Sequence, residues 1–161
     1  MIANAERSGA DRRSVARLVA VQACYRMGFD DAKPETVIAE FERDGFARGA
    51  EGATALTPDR ALFEALVRGT GARRDEIDAL IDSALTGGRT GERLERVLLA
   101  VLRVGVYELV ARPEVPAAVI IDEYVEVARA FFGRSEPALV NAVLDRVARR
   151  VRPPSDAANG E

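Results

Sequence analysis

Residues 97–111 are the most apolar stretch of this 161-residue chain, and they constrain its fold more than any other feature. Only Arg103 and Glu108 interrupt the apolar side chains, and Arg112-Pro113 follows directly. The stretch is too short and too charged to span a bilayer. A helix that is apolar on nearly all sides lies in the middle of a bundle. We therefore predict a central helix, in which Arg103 and Glu108 each need a partner because an isolated buried charge is costly.

Helical spacing of apolar residues recurs along the rest of the chain, and strand-type alternation is hard to find. The sequence predicts seven helices joined by short connections, and therefore an all-α fold built from two packed helical subdomains. We expect helices over about residues 12–27, 34–46, 74–85 and 92–111, others starting at 57, at 116 and after the turn at 133–135, and the last ending near 151.

The predicted organisation is one compact domain with two halves. The N-terminal subdomain covers residues 12–86 and the C-terminal subdomain covers 87–152, with a glycine-rich stretch between them. Residues 1–11 are expected to form a flexible arm, 45–57 a mobile loop and 153–161 a disordered tail. In the third helix we expect Thr57 as the N-cap and Pro58 at the first helical position, with Gly69 and Gly71 interrupting the helix near its end.

The composition excludes most of the chemistry that enzymes use. The chain has no histidine and a single cysteine, Cys24, so it cannot form an intramolecular disulfide, a histidine-based catalytic triad or a thiolate and imidazole zinc site. Asp75-Glu76 and Asp122-Glu123 are adjacent pairs that point to different faces of a helix, and no Walker or dinucleotide-type glycine loop is present. We predict that the protein is not an enzyme and needs neither a cofactor nor a metal ion.

The basic residues are almost all arginine, and each end of the chain has an excess of them over acidic residues. Of the 23 basic residues only Lys33 is a lysine, and residues 18–145 carry a net charge of −7. Arg12, Arg13 and Arg17 lie at the start of the first helix, with Arg13 and Arg17 expected away from its buried face. Guanidinium groups can neutralise RNA phosphates and stack on unpaired bases, although a solvated helix face explains the same pattern.

The N-terminal region does not resemble an export signal. Its first 30 residues contain no continuous apolar segment, because arginines interrupt it. A chain with one cysteine and no apolar membrane span is typical of a reducing compartment. We expect the protein in the cytoplasm.

Four segments, taken in order, resemble the NusB family of bacterial transcription antitermination factors. They are residues 20–25 (AVQACY), 101–109 (VLRVGVYEL), 115–128 (VPAAVIIDEYVEVA) and 139–145 (LVNAVLD), and the similarity extends over about residues 12–152. Each segment alone is a weak signal, but four in the same order are a strong one. The amino acids at residues 122–124 and 130–132 are most similar to those of alphaproteobacterial members.

The resemblance implies a non-enzymatic, all-α, RNA-binding protein. Such a protein pairs with the ribosomal protein NusE, binds the single-stranded boxA element of ribosomal RNA leaders and joins RNA polymerase together with NusA and NusG. Residue by residue, it implies RNA contacts at Arg12, Arg13 and Arg17, with Arg134, Ser135 and Asn141 as further candidates. It places Tyr25 and Glu92 on the NusE face, where Leu98 occupies the position of a second acidic contact.

Some positions depart from the family pattern, and two other functions stay open. Ser14 and Val15 stand where some members have further arginines, so the basic patch at Arg12, Arg13 and Arg17 is smaller here. Leu139 stands where many members have a phenylalanine beside the RNA. One alternative is an RNA-binding domain of the kind that begins some RNA cytosine methyltransferases, although the cofactor-binding domain and catalytic cysteine motif of those enzymes are missing here. The other is a helical protein-interaction module without an RNA role.

Overall fold

The protein is all-α in the computed structural model, which describes residues 2–44 and 57–152, with side chains from residue 8 onward. This described part contains seven α-helices and no strand. The helices are α1 (Ile2–Asp30), α2 (Pro34–Arg43), α3 (Arg60–Ala72), α4 (Arg74–Ala84), α5 (Arg96–Ala111), α6 (Ala117–Phe131) and α7 (Ser135–Val151), with a 3₁₀ turn at Gly91–Arg93 before α5. The predicted fold class is confirmed, while the predicted loop at 45–57, apart from Thr57, and the predicted tail at 153–161 lie outside the described residues.

Helix α5 occupies the centre of the molecule, as its apolar sequence predicts. It packs against α1, α3, α4, α6 and α7, and most of its side chains are buried. Gly105 permits a close approach of α6 and α7, because a Cβ atom there would lie 3.0 Å from Leu144 Cδ1 of α7 and 3.3 Å from Tyr124 Cγ of α6. The buried apolar residues of all seven helices form one cluster, and the division at residues 86 and 87 stays a prediction.

Helix α1 begins ten residues earlier than the sequence predicts. The expected start near Arg12 is wrong, because the helix runs from Ile2 to Asp30. Residues 2–11 include three alanines, which have the highest helix propensity, and contain neither a proline nor an apolar cluster that would favour another structure. The segment predicted to be a flexible arm therefore extends the first helix in this structure.

Helices α3 and α5 begin at acidic caps that lie later than the predicted starts. The Asp59 carboxylate accepts a hydrogen bond from the Leu62 backbone N–H at 3.0 Å, so Asp59 caps α3 in place of Thr57. The Glu95 carboxylate accepts from the backbone N–H groups of Val97 and Leu98, so α5 begins at Arg96 and not at Glu92. A carboxylate also interacts favourably with the positive end of the helix dipole, so both caps stabilise their helices.

Helix α3 continues through the two glycines that were expected to interrupt it and ends at Ala72. Gly69 has a packing role instead. A Cβ atom at this position would lie 1.9 Å from Cζ of Tyr107, so only glycine allows the α5 tyrosine ring to lie against the backbone of α3. Gly71 has a similar role against α2, because a Cβ atom at this position would lie 2.7 Å from Cγ of Pro34.

Candidate functional site

Arg12 and Arg13 lie exposed on the N-terminal half of α1. Nε of Arg12 donates to the carbonyl oxygen of Thr57 at 3.1 Å, which leaves the other guanidinium N–H groups open to solvent. Among the described side chains, no carboxylate lies within 4 Å of either guanidinium group. Both residues can therefore bind an anionic ligand, as the sequence predicts for them.

Arg17 lies in a different environment, and its predicted place away from the buried face is wrong. Only 3% of the residue is exposed. Its Nε and Nη2 donate to the two carboxylate oxygens of Glu108 at 2.9 and 2.7 Å, and Glu123 lies 3.7 Å from Nη1. Helices α5 and α6 cover this turn of α1, so the guanidinium group is committed to an internal ion pair and is not available to RNA in this structure.

Glu108 is the centre of a buried polar network. Besides Arg17, its carboxylate accepts hydrogen bonds from the Tyr124 hydroxyl at 2.8 Å and from Arg112 Nη1 at 3.2 Å. Burial raises the pKa of this carboxyl, but the hydrogen bonds and charge of Arg17 more than offset it, so the pKa lies below its ordinary value. The predicted need for a partner is confirmed here, and this site is structural.

Arg103 has the second internal ion pair that the sequence predicts. Its Nε and Nη2 donate to the two carboxylate oxygens of Asp78 on α4 at 2.8 and 3.0 Å. The pair is partly buried and joins α4 to the central helix. Arg103 and Glu108 are therefore both balanced by partners from other helices, as expected for charges in a central helix.

Arg134, Ser135 and Asn141 are all exposed, at the start and on the outer side of α7. The Ser135 hydroxyl donates to the Glu136 carboxylate at 2.9 Å. Asn141 lines a groove of about 390 Å³ between α6 and α7, together with Asp122 and Arg149. Within the described part of the chain, no hydrogen bond or ion pair joins these three residues to Arg12 or Arg13.

Helix α6 nevertheless lies directly beside the N-terminal half of α1. The Ser14 hydroxyl lies 2.9 and 3.0 Å from the two carboxylate oxygens of Glu123. The candidate RNA residues of α1 therefore lie on a helix that contacts α6, and α6 in turn packs along α7. Exposed hydrogen-bond donors of α1 and α7 therefore lie on the two sides of α6, and acidic side chains of α6 lie between them.

Tyr25 and Glu92, predicted to share a protein-binding face, line one cavity of about 440 Å³. The cavity lies between α1, α4, the 3₁₀ turn and α5. Tyr25 is partly buried, whereas Glu92 is exposed on the 3₁₀ turn. The fold thus brings together two residues that are far apart in the sequence.

Two residues beside this cavity were not predicted. Phe29 is 55% exposed and meets the Tyr25 ring edge to face, with the ring centroids 4.8 Å apart. The guanidinium carbon of Arg96 lies 4.9 Å from the centroid of the Phe29 ring, within the range of a cation–π interaction. The available signal was the i, i+4 spacing of Tyr25 and Phe29, which places both rings on the same side of α1.

Leu98 does not lie on this face. It is only 4% exposed and belongs to the hydrophobic core, so its predicted contact with a protein partner is wrong for this structure. On α5, Leu98 lies on the side that packs into the core, while Arg96 faces the solvent. A leucine at a position where an acidic contact was expected is explained by its packing role.

Three further features are absent from the described residues: a helix that could span a membrane, a metal-binding group and a reactive thiol. Over residues 2–44 and 57–152, no helix has the length and hydropathy needed to cross a membrane, and no group of three or more histidine, cysteine or acidic residues is placed to hold a metal ion. Cys24 is buried, and burial raises the pKa of its thiol to about 12. At neutral pH the thiol is therefore protonated and unreactive.

Comparison with known proteins gives consistent results over nearly the whole chain. The family model described as "NusB family" matches residues 14–149. The transcription antitermination protein NusB of Agrobacterium fabrum is 44% identical over 143 residues, which cover 89% of this chain and 87% of that protein. The protein of the same name from Bradyrhizobium diazoefficiens is 45% identical over 143 residues, with the same coverage.

Solved structures agree with the fold. T. maritima NusB has a TM-score of 0.72 and 27% identity, covering 88% of this chain and 93% of that one. A chain from a structure of the antitermination factors NusB and NusE in complex with dsRNA has the same TM-score at 21% identity, covering 87% and 98%. From the family match and the identity to these relatives, we conclude that the chain belongs to the NusB family.

Proposed function

We propose that this protein is a transcription antitermination factor that binds boxA RNA of ribosomal RNA leaders together with NusE. The observation that carries this proposal is the extent of the similarity: relatives named transcription antitermination protein match over 87–89% of their own length. In this proposal the protein acts in the cytoplasm without catalysis, cofactor or metal ion. It joins RNA polymerase together with NusA and NusG.

The RNA surface that we propose centres on Arg12 and Arg13, with Arg134, Ser135 and Asn141 as further contacts. The two α1 arginines are exposed and have no carboxylate partner among the described side chains, so their charge is available to phosphates. Few such contacts give a weak, salt-sensitive interaction. The net charge of −3 further disfavours indiscriminate RNA binding. The related complex of NusB, NusE and dsRNA supports a role for a second protein in RNA binding.

The NusE surface that we propose is the cavity at Tyr25 and Glu92, extended by Phe29 and Arg96. An aromatic pair at the rim of a cavity, with charged groups of both signs around it, has the composition of a protein interface. Arg96 holds the Phe29 ring in place before binding, which lowers the entropy lost on association.

A binding assay with and without NusE tests this proposal. A labelled single-stranded RNA with a boxA-like sequence is titrated with this protein, with NusE and with both, and a scrambled RNA of equal length is the control. We expect tight binding only when both proteins and the boxA-like strand are present. Equal binding of the two RNAs would contradict recognition of boxA, and absence of RNA binding in all mixtures would favour a protein-interaction module. Methyl transfer to the RNA would instead indicate the methyltransferase alternative.

A further inference from the structure

Two arginines of α7 lie over the last turn of α4, on a surface that the proposed function does not use. Nη1 of Arg146 donates to the carbonyl oxygen of Ala84 at 2.7 Å, and Nη2 of Arg150 donates to that of Ser83 at 3.1 Å. The two arginines are four residues apart on one helix, and their acceptors are consecutive in the chain. Their guanidinium groups therefore lie side by side.

This pair differs from the described arginines that form ion pairs, because it has no acidic partner among the described residues. Among the described residues, no carboxylate lies within 4 Å of Arg146 or Arg150. Their neighbour Arg149, by contrast, contacts Asp145 at 3.1 Å, and Arg73 contacts Glu76 at 2.8 Å. The negative end of the α4 dipole partly compensates the two adjacent positive charges, but it carries only about half a unit charge.

Most hydrogen-bond donors of the pair remain free. A guanidinium group has five N–H donors, and Arg146 and Arg150, both exposed, each use one of them on a carbonyl oxygen. Arg152 is different, because it donates to three carbonyl oxygens, those of Leu109, Arg112 and Val115. The planar fork of a guanidinium group fits two oxygens of one phosphate, and a group already held by a carbonyl loses less entropy on binding.

The pair lies on α7, the helix that also carries the proposed RNA contact Asn141, but on its opposite side, because nine residues correspond to about two and a half turns. Asn141 lies on the same helix, about 14 Å from Arg150 along the axis. Arg149, one of the residues that line the groove with Asn141, lies directly before Arg150 in the chain. Arg89 adds another exposed positive charge in the turn after α4. An RNA strand that passes Asn141 would reach the pair by crossing over α7 from its α6 side to its α4 side.

We propose that Arg146 and Arg150 form a second phosphate-binding site, which contacts the RNA backbone outside the boxA element without reading its sequence. The inference rests on the proposed function, because it lengthens the RNA footprint of the same complex. We favour RNA over an acidic protein, because two adjacent guanidinium groups with free donors match successive phosphates.

The experiment compares two RNAs and two charge-matched variants, each in complex with NusE. One RNA is the boxA-like strand alone, and the other carries uridine extensions at both ends. The test variant is Arg146→Gln with Arg150→Gln. The control is Arg68→Gln with Arg73→Gln, which removes two positive charges that are paired with acidic groups elsewhere. Thermal melting confirms that each variant is folded, and Arg150→Gln alone repeats the test with only one exposed side chain changed.

We expect the test variant to bind the extended RNA about tenfold or more weakly at 0.1 M salt. The slope of log K against log salt should decrease by about 1.4, which corresponds to two lost single-strand contacts. Binding of the short RNA, and of both RNAs to the control variant, should match that of the unchanged protein.

Equal binding of the extended RNA by the test variant and the unchanged protein would overturn the inference and leave the proposed function intact. An equal loss on both RNAs would also overturn it, because the pair would then belong to the boxA site itself. If the unchanged complex binds neither RNA, the proposed function fails and the inference fails with it.

Discussion

Arg13 and Arg17 lie one helical turn apart on α1 and have opposite environments. Arg13 is exposed, whereas Arg17 is 3% exposed and paired with Glu108. The i, i+4 spacing shows that two side chains share one side of a helix, but it does not show which other helix covers that side. Glu108 provides the missing information, because a carboxylate in an apolar helix requires a cation, and only the fold identifies Arg17 as that cation.

We expect the two arginines to separate stability from RNA binding. Arg17→Ala leaves the Glu108 carboxylate buried without its main partner, so the free energy of unfolding should fall by about 3–5 kcal/mol. Arg13→Ala should change it by no more than about 0.5 kcal/mol and weaken RNA binding instead. Urea unfolding and RNA titration of both variants check this. A urea midpoint of Arg17→Ala equal to that of the unchanged protein would contradict the structural role of the ion pair.

The free energy of unfolding should also depend on pH through the Glu108 carboxyl group. The pKa of its carboxyl in the folded state lies below the ordinary value of 4.5, since the Arg17 interactions outweigh the effect of burial. The unfolded state therefore binds the proton more tightly, and the stabilisation from this group is complete above about pH 4.5 and is lost as the pH falls through the folded-state pKa.

Urea unfolding at a series of pH values from 7 to 3 measures this dependence. In Glu108→Gln, which cannot titrate at this position, the free energy of unfolding should decrease less steeply with falling pH. Identical slopes in the two proteins would mean that other carboxyl groups account for the acid sensitivity.

At the scale of the elements, the spacing of apolar residues predicts the helices well but their ends poorly. Thr57 and Asp59 are both acceptable caps by residue type. The choice depends on α1, because the Asp59 backbone N–H donates to the carbonyl oxygen of Arg12 at 3.0 Å. Such a contact between distant residues cannot be read from local sequence, and the same holds for Gly69, whose role depends on a tyrosine of another helix.

The contact between α3 and α5 gives a test with a matched control. Gly69→Ala places a methyl group into the Tyr107 ring and should lower the free energy of unfolding by about 1–3 kcal/mol. Gly28→Ala in α1 meets nothing within 4 Å and should raise it by about 0.4–1 kcal/mol, because alanine restricts the unfolded chain. Chemical unfolding measures both changes. A Gly69→Ala protein as stable as the unchanged one would show that the α3–α5 contact adjusts freely.

At the scale of the whole molecule, the central helix and the fold class could be predicted from the sequence, and the composition of the binding surfaces only in part. Tyr25 and Glu92 were expected on one face, and they line one cavity. Leu98 was expected beside them, but it is buried in the core with the other apolar residues of α5. Sequence similarity assigns a residue to a position, whereas the packing of the helix decides which way that position faces.

The two proposed surfaces should respond separately to substitution. Tyr25→Ala should weaken binding to NusE at least tenfold, because it removes the aromatic group of the cavity. Arg12→Ala with Arg13→Ala should leave NusE binding unchanged and weaken RNA binding by the complex. Calorimetric titration with NusE and RNA binding by the preformed complex measure the two effects. Loss of NusE binding in the arginine variant would show that the surfaces overlap.

Arg13 and Tyr25 belong to one unbroken helix, and this continuity bears on how the two ligands influence each other. They lie about 18 Å apart along the axis of α1, which the Arg17–Glu108 ion pair joins to the central helix. A bound RNA and a bound protein partner at that separation are close enough to touch. In the proposed function, cooperative binding would then need no change of shape in this protein, because α1 would hold the two ligands next to each other.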